Sequence, residues 1–414
     1  MKIPFKKANI LIPKNTNMEK WAVIACDQYT SEPSYWDGVK RIVSDNPSTL
    51  NIIIPEIFLE EAGVEKRIKN VNTIMDDYIK NGLFEELKDS IIYLERTDST
   101  GKVRKGIIGM VDLENYSFEK GSKSLIRATE GTILERIPPR VRVRENASLE
   151  LPHVMLLIDD EKKIVIDQLS NEVDSEQIVY DFSLMQNGGY AKGYKLTDEQ
   201  LEKVYSGLDS LLNNDYNKEY NESLLFAVGD GNHSLATAKT CYENLKKSLN
   251  EAEYINHPAR YALVEVVNLH SDALEFEPIH RVLFDVDPLH VMEELNKYYE
   301  IAMDGEGQRV DYIYGYEKGF LIIKNPKSNL AVGSLQIFID EYIKLYGGRL
   351  DYIHGEESVN KLASTPNNIG FLLPNMDKND LFKTVILDGV LPRKTFSMGH
   401  SDDKRFYLEA RKIK

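Results

Sequence analysis

LLFAVGDGNHS, at residues 224–234, is the most informative stretch of this 414-residue chain. Five apolar residues end at a pair of glycines, and from Leu235 to Leu249 apolar residues recur at helical spacing. This pattern predicts a buried strand that turns at the glycines into a helix. Such a turn presents free backbone N–H groups and the positive end of the helix dipole, which suit a phosphate or another anion.

The side chains of this turn add chemistry to its backbone. Asp230 has a carboxylate suited to a divalent cation such as Mg²⁺, and His233 titrates near neutral pH, so both are candidate catalytic residues. The candidate phosphate- or nucleotide-binding residues of the turn are Gly229, Gly231, Asn232, His233 and Ser234. In the alternative interpretation, the glycines only allow a tight turn and a polar side chain caps the helix.

The charge of the chain limits its partners. Asp and Glu outnumber Lys and Arg by 66 to 51, which gives a formal net charge of -15. This balance disfavours sequence-independent binding to DNA or RNA, so no nucleic-acid partner is expected. No apolar run approaches the ~18 residues of a membrane span. The two cysteines, Cys26 and Cys241, lack zinc-type spacing. We therefore expect a cytoplasmic protein with no membrane partner.

The order of apolar patterns predicts an α/β (α+β) fold with a mixed sheet flanked by helices. We expect a core at residues 1–285 and a smaller, helix-rich part at residues 286–414, whose last residues can return to the core. Strands are predicted at 21–25, 91–95, 106–111, 154–158, 163–166, 224–228, 261–267 and 320–323. Helices are predicted after capping patterns at Thr197 and Asp287, and over 71–87, 335–346 and 378–387.

An arginine-rich segment stands out in this acidic chain. Residues 127–144 contain five arginines and no lysine, and the guanidinium fork suits phosphate or carboxylate. If a strand runs through Val141 and Val143, the arginines at 140, 142 and 144 share one face. In the alternative, these arginines form ion pairs with the many carboxylates. The anion-binding candidates here are Arg127, Arg140 and Arg142. Glu130 and Thr132 lie between Arg127 and Arg140 in the sequence.

Two further stretches contain histidine. Residues 278–281, Pro-Ile-His-Arg, follow a strand-like run, so His280 could transfer a proton and Arg281 could bind an anion; a structural pair is the more frequent outcome. His400 precedes two aspartates, and a polar turn is favoured there over a metal site.

Over nearly its whole length the chain resembles the bacterial and archaeal family catalogued as domain of unknown function 1015. The family's DGHHR-like turn stands here as Asp-Gly-Asn-His-Ser at residues 230–234. Its Arg-x-x-Glu-x-Thr element is matched at residues 127–132, and its Pro-x-His-Arg element at residues 278–281. Residues 392–395, Pro-Arg-Lys-Thr, approximate a fourth element.

The DGHHR-like turn is also similar to the phosphate-binding motif of the ParB/sulfiredoxin fold, which includes free serine kinases. This resemblance implies a turn that cradles the phosphates of ATP or ADP, with Asp230 helping to place magnesium and Glu130 as the base. It also implies a link to serine metabolism. Arg127, together with Arg140 or Arg142, would neutralise the charge of the transferred group.

The chain departs from the motif at its end. Ser234 stands where the family has arginine, and Asn232 replaces the first histidine. The missing arginine removes a charge-assisted contact of about 1.5–3 kcal/mol, although a serine at a helix start still donates to phosphate.

Three functions remain open from the sequence. The first is an enzyme that transfers or hydrolyses a phosphoryl group on a small metabolite, such as serine or phosphoserine. The second is a non-catalytic nucleotide or metabolite sensor with a degenerate site. In the third, the turn is purely architectural and the pocket lies elsewhere, for example after the strand at 21–25. A homo-oligomer is compatible with each of them.

Overall fold

The computed structural model describes residues 3–213, 215–399 and 404–414. The chain forms two compact units, of which the first comprises Met1–Leu274 and His400–Lys414 and the second Glu275–Gly399. The chain thus passes into the second unit at Glu275, whereas the sequence-based boundary stands at residue 285. His400, predicted to lie in a polar turn, is outside the described residues.

The strands of the described residues are numbered in chain order. They are β1 Phe5–Lys6, β2 Ala8–Pro13, β3 Val23–Ile24, β4 Phe84–Ser90, β5 Ile92–Thr97, β6 Val103–Asp112, β7 Tyr116–Ser117, β8 Ile126–Ala128, β9 Leu149–Glu150, β10 Met155–Ile158, β11 Ile178–Ser183, β12 Tyr190–Lys195, β13 Phe226–Asp230, β14 Tyr261–Asn268, β15 Phe276–Phe284, β16 Ile301–Ala302, β17 Gln308–Tyr314, β18 Glu317–Ile323, β19 Arg349–His354, β20 Asn368–Leu372, β21 Phe396–Met398, β22 Phe406–Tyr407 and β23 Arg411–Lys412.

The α-helices of the same residues are numbered likewise. They are α1 Met18–Trp21, α2 Pro33–Val43, α3 Val64–Lys80, α4 Ile137–Arg144, α5 Asp198–Leu212, α6 Asp215–Tyr220, α7 Asn232–Lys246, α8 Glu251–Ile255, α9 Pro288–Tyr298, α10 Ala331–Tyr346, α11 Glu356–Ala363 and α12 Asp380–Leu387. Among the described residues, no helix combines the length and the apolar character that crossing a membrane requires.

A mixed sheet forms the centre of the first unit, in the order β11-β12-β5-β6-β14-β10-β13-β8-β7, with β1 on β6. Most neighbouring strands are antiparallel, but β10 and β14, β8 and β13, and β7 and β8 are parallel. Successive residues of β6, Ile107 and Ile108, enter different core clusters because neighbouring strand residues point to opposite faces. The predicted mixed α/β fold is confirmed.

Helices cover both faces of this sheet. The apolar stripes of α2 and α3 pack into one cluster around Trp21, and those of α5 and α7 pack into the other around Phe226. The C-terminal segment, residues 404–414, also belongs to this unit, because β22 pairs with β3 and β23 pairs with β9. It is therefore part of the core beside which the glycine turn lies.

The second unit has its own sheet in the order β16-β18-β17-β20-β15-β19, with β21 on β15. A core cluster of this unit joins Val282 of β15 and Ile313 of β17 to Val359 and Ala363 of α11. The helix predicted after Asp287 is present as α9, whose N-cap side chain accepts from the Leu289 N–H. The predicted strand at 320–323 lies within β18.

Three predicted elements are wrong in the described residues. Residues 163–166 form a turn rather than a strand, in which the Asp160 side chain accepts from the Val165 N–H. The helix predicted over 71–87 ends at Lys80, because Asn81 and Gly82, with φ 67° at Gly82, break it before β4. The strand predicted through Val141 and Val143 is helix α4, which prolines in its first turn favour.

Candidate functional site

The predicted strand and helix around residues 224–234 are confirmed as β13 and α7, joined by Gly231 at φ 81°. Because β13 runs parallel to β8, the carboxyl ends of both strands lie at the same edge of the sheet. In α/β folds this edge is where ligands bind. A Cβ on Gly231 would stand 3.0 Å from Val154 Cα, so the turn packs closely against the chain that enters β10.

Side chains tie the two strand ends together. The Thr129 hydroxyl donates to the Val228 carbonyl at 2.6 Å. The Asn232 amide accepts from the Thr129 N–H at 3.2 Å and donates to the Thr129 hydroxyl at 3.3 Å. The predicted binding residue Asn232 is buried, so its side chain holds the turn in place and leaves its backbone N–H at the helix start.

Asp230, at the end of β13, is engaged by a cation from the C-terminal segment. Lys404 Nζ lies 3.2 Å from Asp230 Oδ2, and Asp230 Oδ1 accepts from the Gly231 N–H at 2.9 Å. Burial acts to raise the pKa of Asp230, but the Lys404 and His153 charges and the hydrogen bonds from Lys404 and Gly231 together outweigh it and hold the pKa below its ordinary value. The carboxylate is therefore ionised and already partly neutralised.

His233 faces positive charge. Its Nε2 atom accepts from the Ile133 N–H at 3.3 Å. Burial, together with the charges of Arg140 and Arg136, lowers the pKa of His233 to about 4. The imidazole is therefore neutral at physiological pH, and two arginines stand near the first turn of α7.

Ser234 hydrogen-bonds to a histidine that the sequence analysis does not single out. Ser234 Oγ lies 2.7 Å from His153 Nε2, and the Tyr407 hydroxyl lies 2.9 Å from His153 Nδ1. The three side chains line a cavity of about 170 Å³. A serine at the start of a helix thus faces this cavity instead of only capping the helix.

The predicted anion-binding arginines have carboxylate partners. Arg127 is buried, with Nη2 2.6 Å from Glu222 Oε2. Arg140 pairs with Glu56 and also lines the cavity. The exposed Arg142 lies 2.9 Å from Glu65. The second interpretation of the arginine-rich segment, ion pairing, therefore describes the contacts of all three.

Glu130, the candidate base, follows Thr129 at the sheet edge and is half-buried. Gly229 packs tightly, because a Cβ there would stand 2.8 Å from Leu157 Cγ. Gly229 therefore allows close packing between β13 and β10, whereas Gly231 allows the left-handed backbone of the turn. Their contact with a phosphate remains a prediction.

His280 and Arg281 belong to the second unit. The His280 Nδ1 atom accepts from the Leu373 N–H at 3.1 Å, and burial lowers the pKa of His280. Arg281 is fully buried and donates to the carbonyls of Arg393 and Lys394 at 2.6 and 3.1 Å. Two of the four sequence elements therefore meet through Arg281, which stabilises that unit internally.

Three residues of this site do not stand out in the sequence. His153 precedes β10, and Lys404 and Tyr407 come from the C-terminal segment. No motif marks them. The sequence signal that could have suggested the segment is the high share of charged and aromatic residues at 404–411.

The described residues do not form a dedicated metal centre. Among them, no group of three or more His, Cys, Asp or Glu side chains could hold a metal ion. Asp230 offers one carboxylate at the turn, and Lys404 already neutralises it. A Mg²⁺ ion would therefore need most of its ligands from water and from the phosphates of a bound molecule, as is usual for this cation.

The fold and the turn define a mixed α/β protein with a candidate anion site at the carboxyl ends of two parallel strands. The family model described as protein of unknown function (DUF1015) matches residues 3–386, and the chain belongs to this family. No curated protein matches the chain.

The solved structures that resemble this chain are distant from it in sequence. Free serine kinase in complex with AMP is 12% identical with a TM-score of 0.39, over 76% of this chain and 92% of that chain. A conserved hypothetical protein from Pyrococcus furiosus is 10% identical with a TM-score of 0.36, over 76% and 96%. C-terminally truncated SbnI from Staphylococcus aureus is 7% identical with a TM-score of 0.38, over 73% and 87%.

Proposed function

We propose that this protein binds the phosphate of a nucleotide or a small phosphorylated metabolite at the Gly229–Ser234 turn and transfers or hydrolyses its phosphoryl group. The observation that supports this most directly is the collection of positive groups at the start of α7. The helix N-terminus lies beside Lys404, and Arg136 and Arg140 act on His233. Lys404 and Arg140 already pair with Asp230 and Glu56, and the helix N-terminus adds N–H donors and a positive dipole end that favour a further anion.

The residues of the turn have separate roles in this proposal. The backbone N–H groups of Asn232, His233 and Ser234 are not used by the helix, since the first turn has no preceding carbonyls, and they hold the phosphate oxygens. Lys404 and Arg140 neutralise the charge that develops on the transferred group. Asp230 orients the acceptor or a Mg²⁺ ion, and Glu130 is the base. All three arginines are ion-paired, but Arg140 also acts on His233 beside the turn, so Arg127 and Arg142 are second choices.

The substrate class is proposed from the resemblance of the turn to that of the free serine kinases. Serine or phosphoserine would be the small substrate, and ATP or ADP the nucleotide. Phosphoryl transfer asks the protein mainly for positioning and charge stabilisation, which a turn with fixed backbone donors supplies.

Calorimetry with ATP, ADP and phosphoserine, with and without Mg²⁺, tests binding, and phosphorus NMR of serine–nucleotide mixtures tests turnover. We expect Lys404→Met to weaken phosphate binding by about tenfold, the loss of one charge-assisted contact. Lys203→Met removes the same charge from the outer face of α5 and leaves binding unchanged. If no phosphorylated ligand binds, the proposal is wrong; if Asp230→Asn and Glu130→Gln turn over normally, their roles are wrong.

A non-catalytic nucleotide sensor is the second candidate. The observation that favours it is the Asp230–Lys404 pair, which occupies the carboxylate that a catalytic metal would use. Binding without any product after long incubation, together with a ligand-dependent change in sedimentation, would support the sensor. Ser234→Arg should then raise phosphate affinity, because it restores the arginine of the family motif; no change in affinity would count against a shared cradle.

A further inference from the structure

A hydrogen-bond relay leads from the turn to side chains that the phosphate proposal does not use. Ser234 Oγ contacts His153 Nε2, and His153 Nδ1 contacts the Tyr407 hydroxyl. The Tyr407 oxygen also accepts from the Cys26 N–H at 3.2 Å, and its hydroxyl hydrogen-bonds to the Cys26 thiol. The ring of His153 stands edge-on to that of Tyr407, with centroids 5.7 Å apart, which limits its rotation.

The tautomer of His153 sets the direction of these bonds. Burial holds the pKa of Tyr407 well above its ordinary value, so its hydroxyl keeps its proton. When the His153 proton is on Nδ1, it is donated to the Tyr407 oxygen and Nε2 carries no proton. Nε2 accepts from the Ser234 hydroxyl, and this is the tautomer in which histidine removes a proton from a serine nucleophile.

Cys26 is not a competing nucleophile in this relay. Burial is the main cause that raises the pKa of its thiol to about 12. Because only the thiolate attacks efficiently, Cys26 stays unreactive. Ser234 is the hydroxyl group that the relay activates.

The cavity beside Ser234 and His153 indicates what the nucleophile would attack. Its wall is mostly apolar, with side chains such as Ile53, Met75, Val143 and Leu263. The charged lining residues neutralise one another, Arg140 with Glu56 and Arg144 with Glu150. At about 170 Å³ it is close to the ~150 Å³ cavity that holds a benzene ring. This space suits an uncharged acyl chain of about four to six carbons, not a phosphate.

We propose that Ser234 and His153 form a nucleophile–base pair that hydrolyses esters of short-chain carboxylic acids, with the acyl chain in this cavity. Ser234 Oγ attacks the ester carbonyl carbon while Nε2 takes its proton, and the bond from that carbon to the alcohol oxygen then breaks as Nε2 returns the proton to the departing alcohol. Water attacks the acyl-serine in the same way, releasing the acid and restoring the Ser234 hydroxyl. Tyr407 is a positioning residue, because its hydroxyl oxygen accepts from Nδ1–H in this tautomer. This activity goes beyond phosphate binding and does not depend on it.

The test measures hydrolysis of p-nitrophenyl butyrate and p-nitrophenyl dodecanoate by the full chain, and labelling by a butyl fluorophosphonate located by peptide mass spectrometry. We expect an adduct on Ser234 and a kcat/KM for butyrate at least tenfold above that for dodecanoate, because the cavity limits chain length. Ser234→Ala and His153→Gln should each lower kcat by about 10²-fold or more. Tyr407→Phe should lower kcat by about tenfold and shift the acidic limb of its pH profile, with KM unchanged.

Ser206→Ala is the matched control, since Ser206 lies exposed on α5, and it should keep both hydrolysis and labelling at Ser234. The proposal is overturned if a folded Ser234→Ala variant keeps its rate, or if other serines are labelled equally well. A Ser234-dependent burst with p-nitrophenyl phosphate but none with butyrate would also overturn it and assign the dyad to phosphoryl transfer. If the variants do not fold, labelling of the wild-type chain decides, because absence of a Ser234 adduct contradicts the proposal.

Discussion

Gly231 is the residue on which the geometry of the turn depends most. Its φ of 81° lies in the left-handed region, and a Cβ there would come within 3.0 Å of Val154 Cα and 3.1 Å of Val154 Cγ2. Gly63, the N-cap of α3, has a similar φ of 96° but nothing within 4 Å of its Cβ position. A comparison of the two glycines therefore distinguishes the effect of a left-handed backbone from the effect of close packing.

Gly231→Ala should lower the free energy of unfolding by clearly more than Gly63→Ala does. Both substitutions carry the left-handed penalty of about 1–2 kcal/mol, but only Gly231→Ala also pushes against the backbone at Val154. Urea unfolding of the two variants measures the difference. Equal losses would show that the approach to Val154 relaxes without cost.

His233 should make the protein less stable in mild acid. The unfolded chain binds a proton at His233 near pH 6.5, whereas the folded chain does so only near pH 4. Between these values the unfolded state holds more protons, so the free energy of unfolding falls as the pH decreases, by at most about 1.4 kcal/mol per pH unit for one group. His233→Gln should flatten this slope in denaturation curves from pH 6.5 to 4. His354→Gln, at an exposed position of the second unit, should not.

At the scale of elements, β8 and β13 position the site, and a buried ion pair anchors their start. Arg127 of β8 pairs with Glu222, just before β13, and its Nε donates to the Ser124 carbonyl at 2.9 Å. Arg142 of α4 makes a comparable pair with Glu65, but both side chains are about half exposed, at 49% and 62%. The two Arg–Glu pairs therefore have the same chemistry but differ in burial.

Arg127→Met should destabilise the fold by about 3 kcal/mol, since among the described residues it leaves Glu222 with the exposed Lys123 as its remaining cation. Arg142→Met should cost less than about 1 kcal/mol, because exposed pairs contribute little. Guanidinium unfolding of both variants measures these losses. If Arg127→Met were as stable as wild type, Arg127 would be free to serve the anion site that the sequence suggests.

The sequence predicts elements well where the signal is local. The capping box at Thr197 and Gln200 begins α5, and the apolar stripe of that helix ends at Leu212. The arginines of α4 show the opposite case. Val and Arg alternate there as in a strand, but Pro138 and Pro139 favour a helix start, and α4 packs on α7. Alternation over a few residues does not outweigh tertiary contacts.

At the scale of the whole molecule, the C-terminal segment completes the first unit. Arg405 is buried and pairs with Glu265 of β14 and with Glu409, while Arg411 pairs with Glu150. Arg104 is the other described cation on Glu265. The segment also supplies Lys404 and Tyr407 to the site, so the turn is incomplete without it.

A chain truncated after Gly399 should therefore lose the cooperative fold of its first unit. Removing Arg405 and Arg411 leaves Glu265 and Glu150 buried with fewer cations, and breaking such pairs costs about 3–5 kcal/mol each. Hydrogen exchange should show lost protection in β10 and β14. Removal of the exposed Lys414 alone is the control and should leave protection unchanged. Full protection in the truncated chain would show that the C-terminal segment does not stabilise the core.

The sequence by itself determined the strand–glycine–helix turn, the mixed α/β class and the family, because hydrophobic period, helix caps and short motifs are local properties of the chain. Only the tertiary structure decided which groups meet at that turn. His153 is 81 residues from Ser234 and Lys404 is 174 residues from Asp230. Contacts over such separations depend on how the sheet and the returning C-terminal segment pack, and no local pattern encodes them. The same packing paired Arg127, Arg140 and Arg142 with carboxylates, which their spacing in the sequence left open.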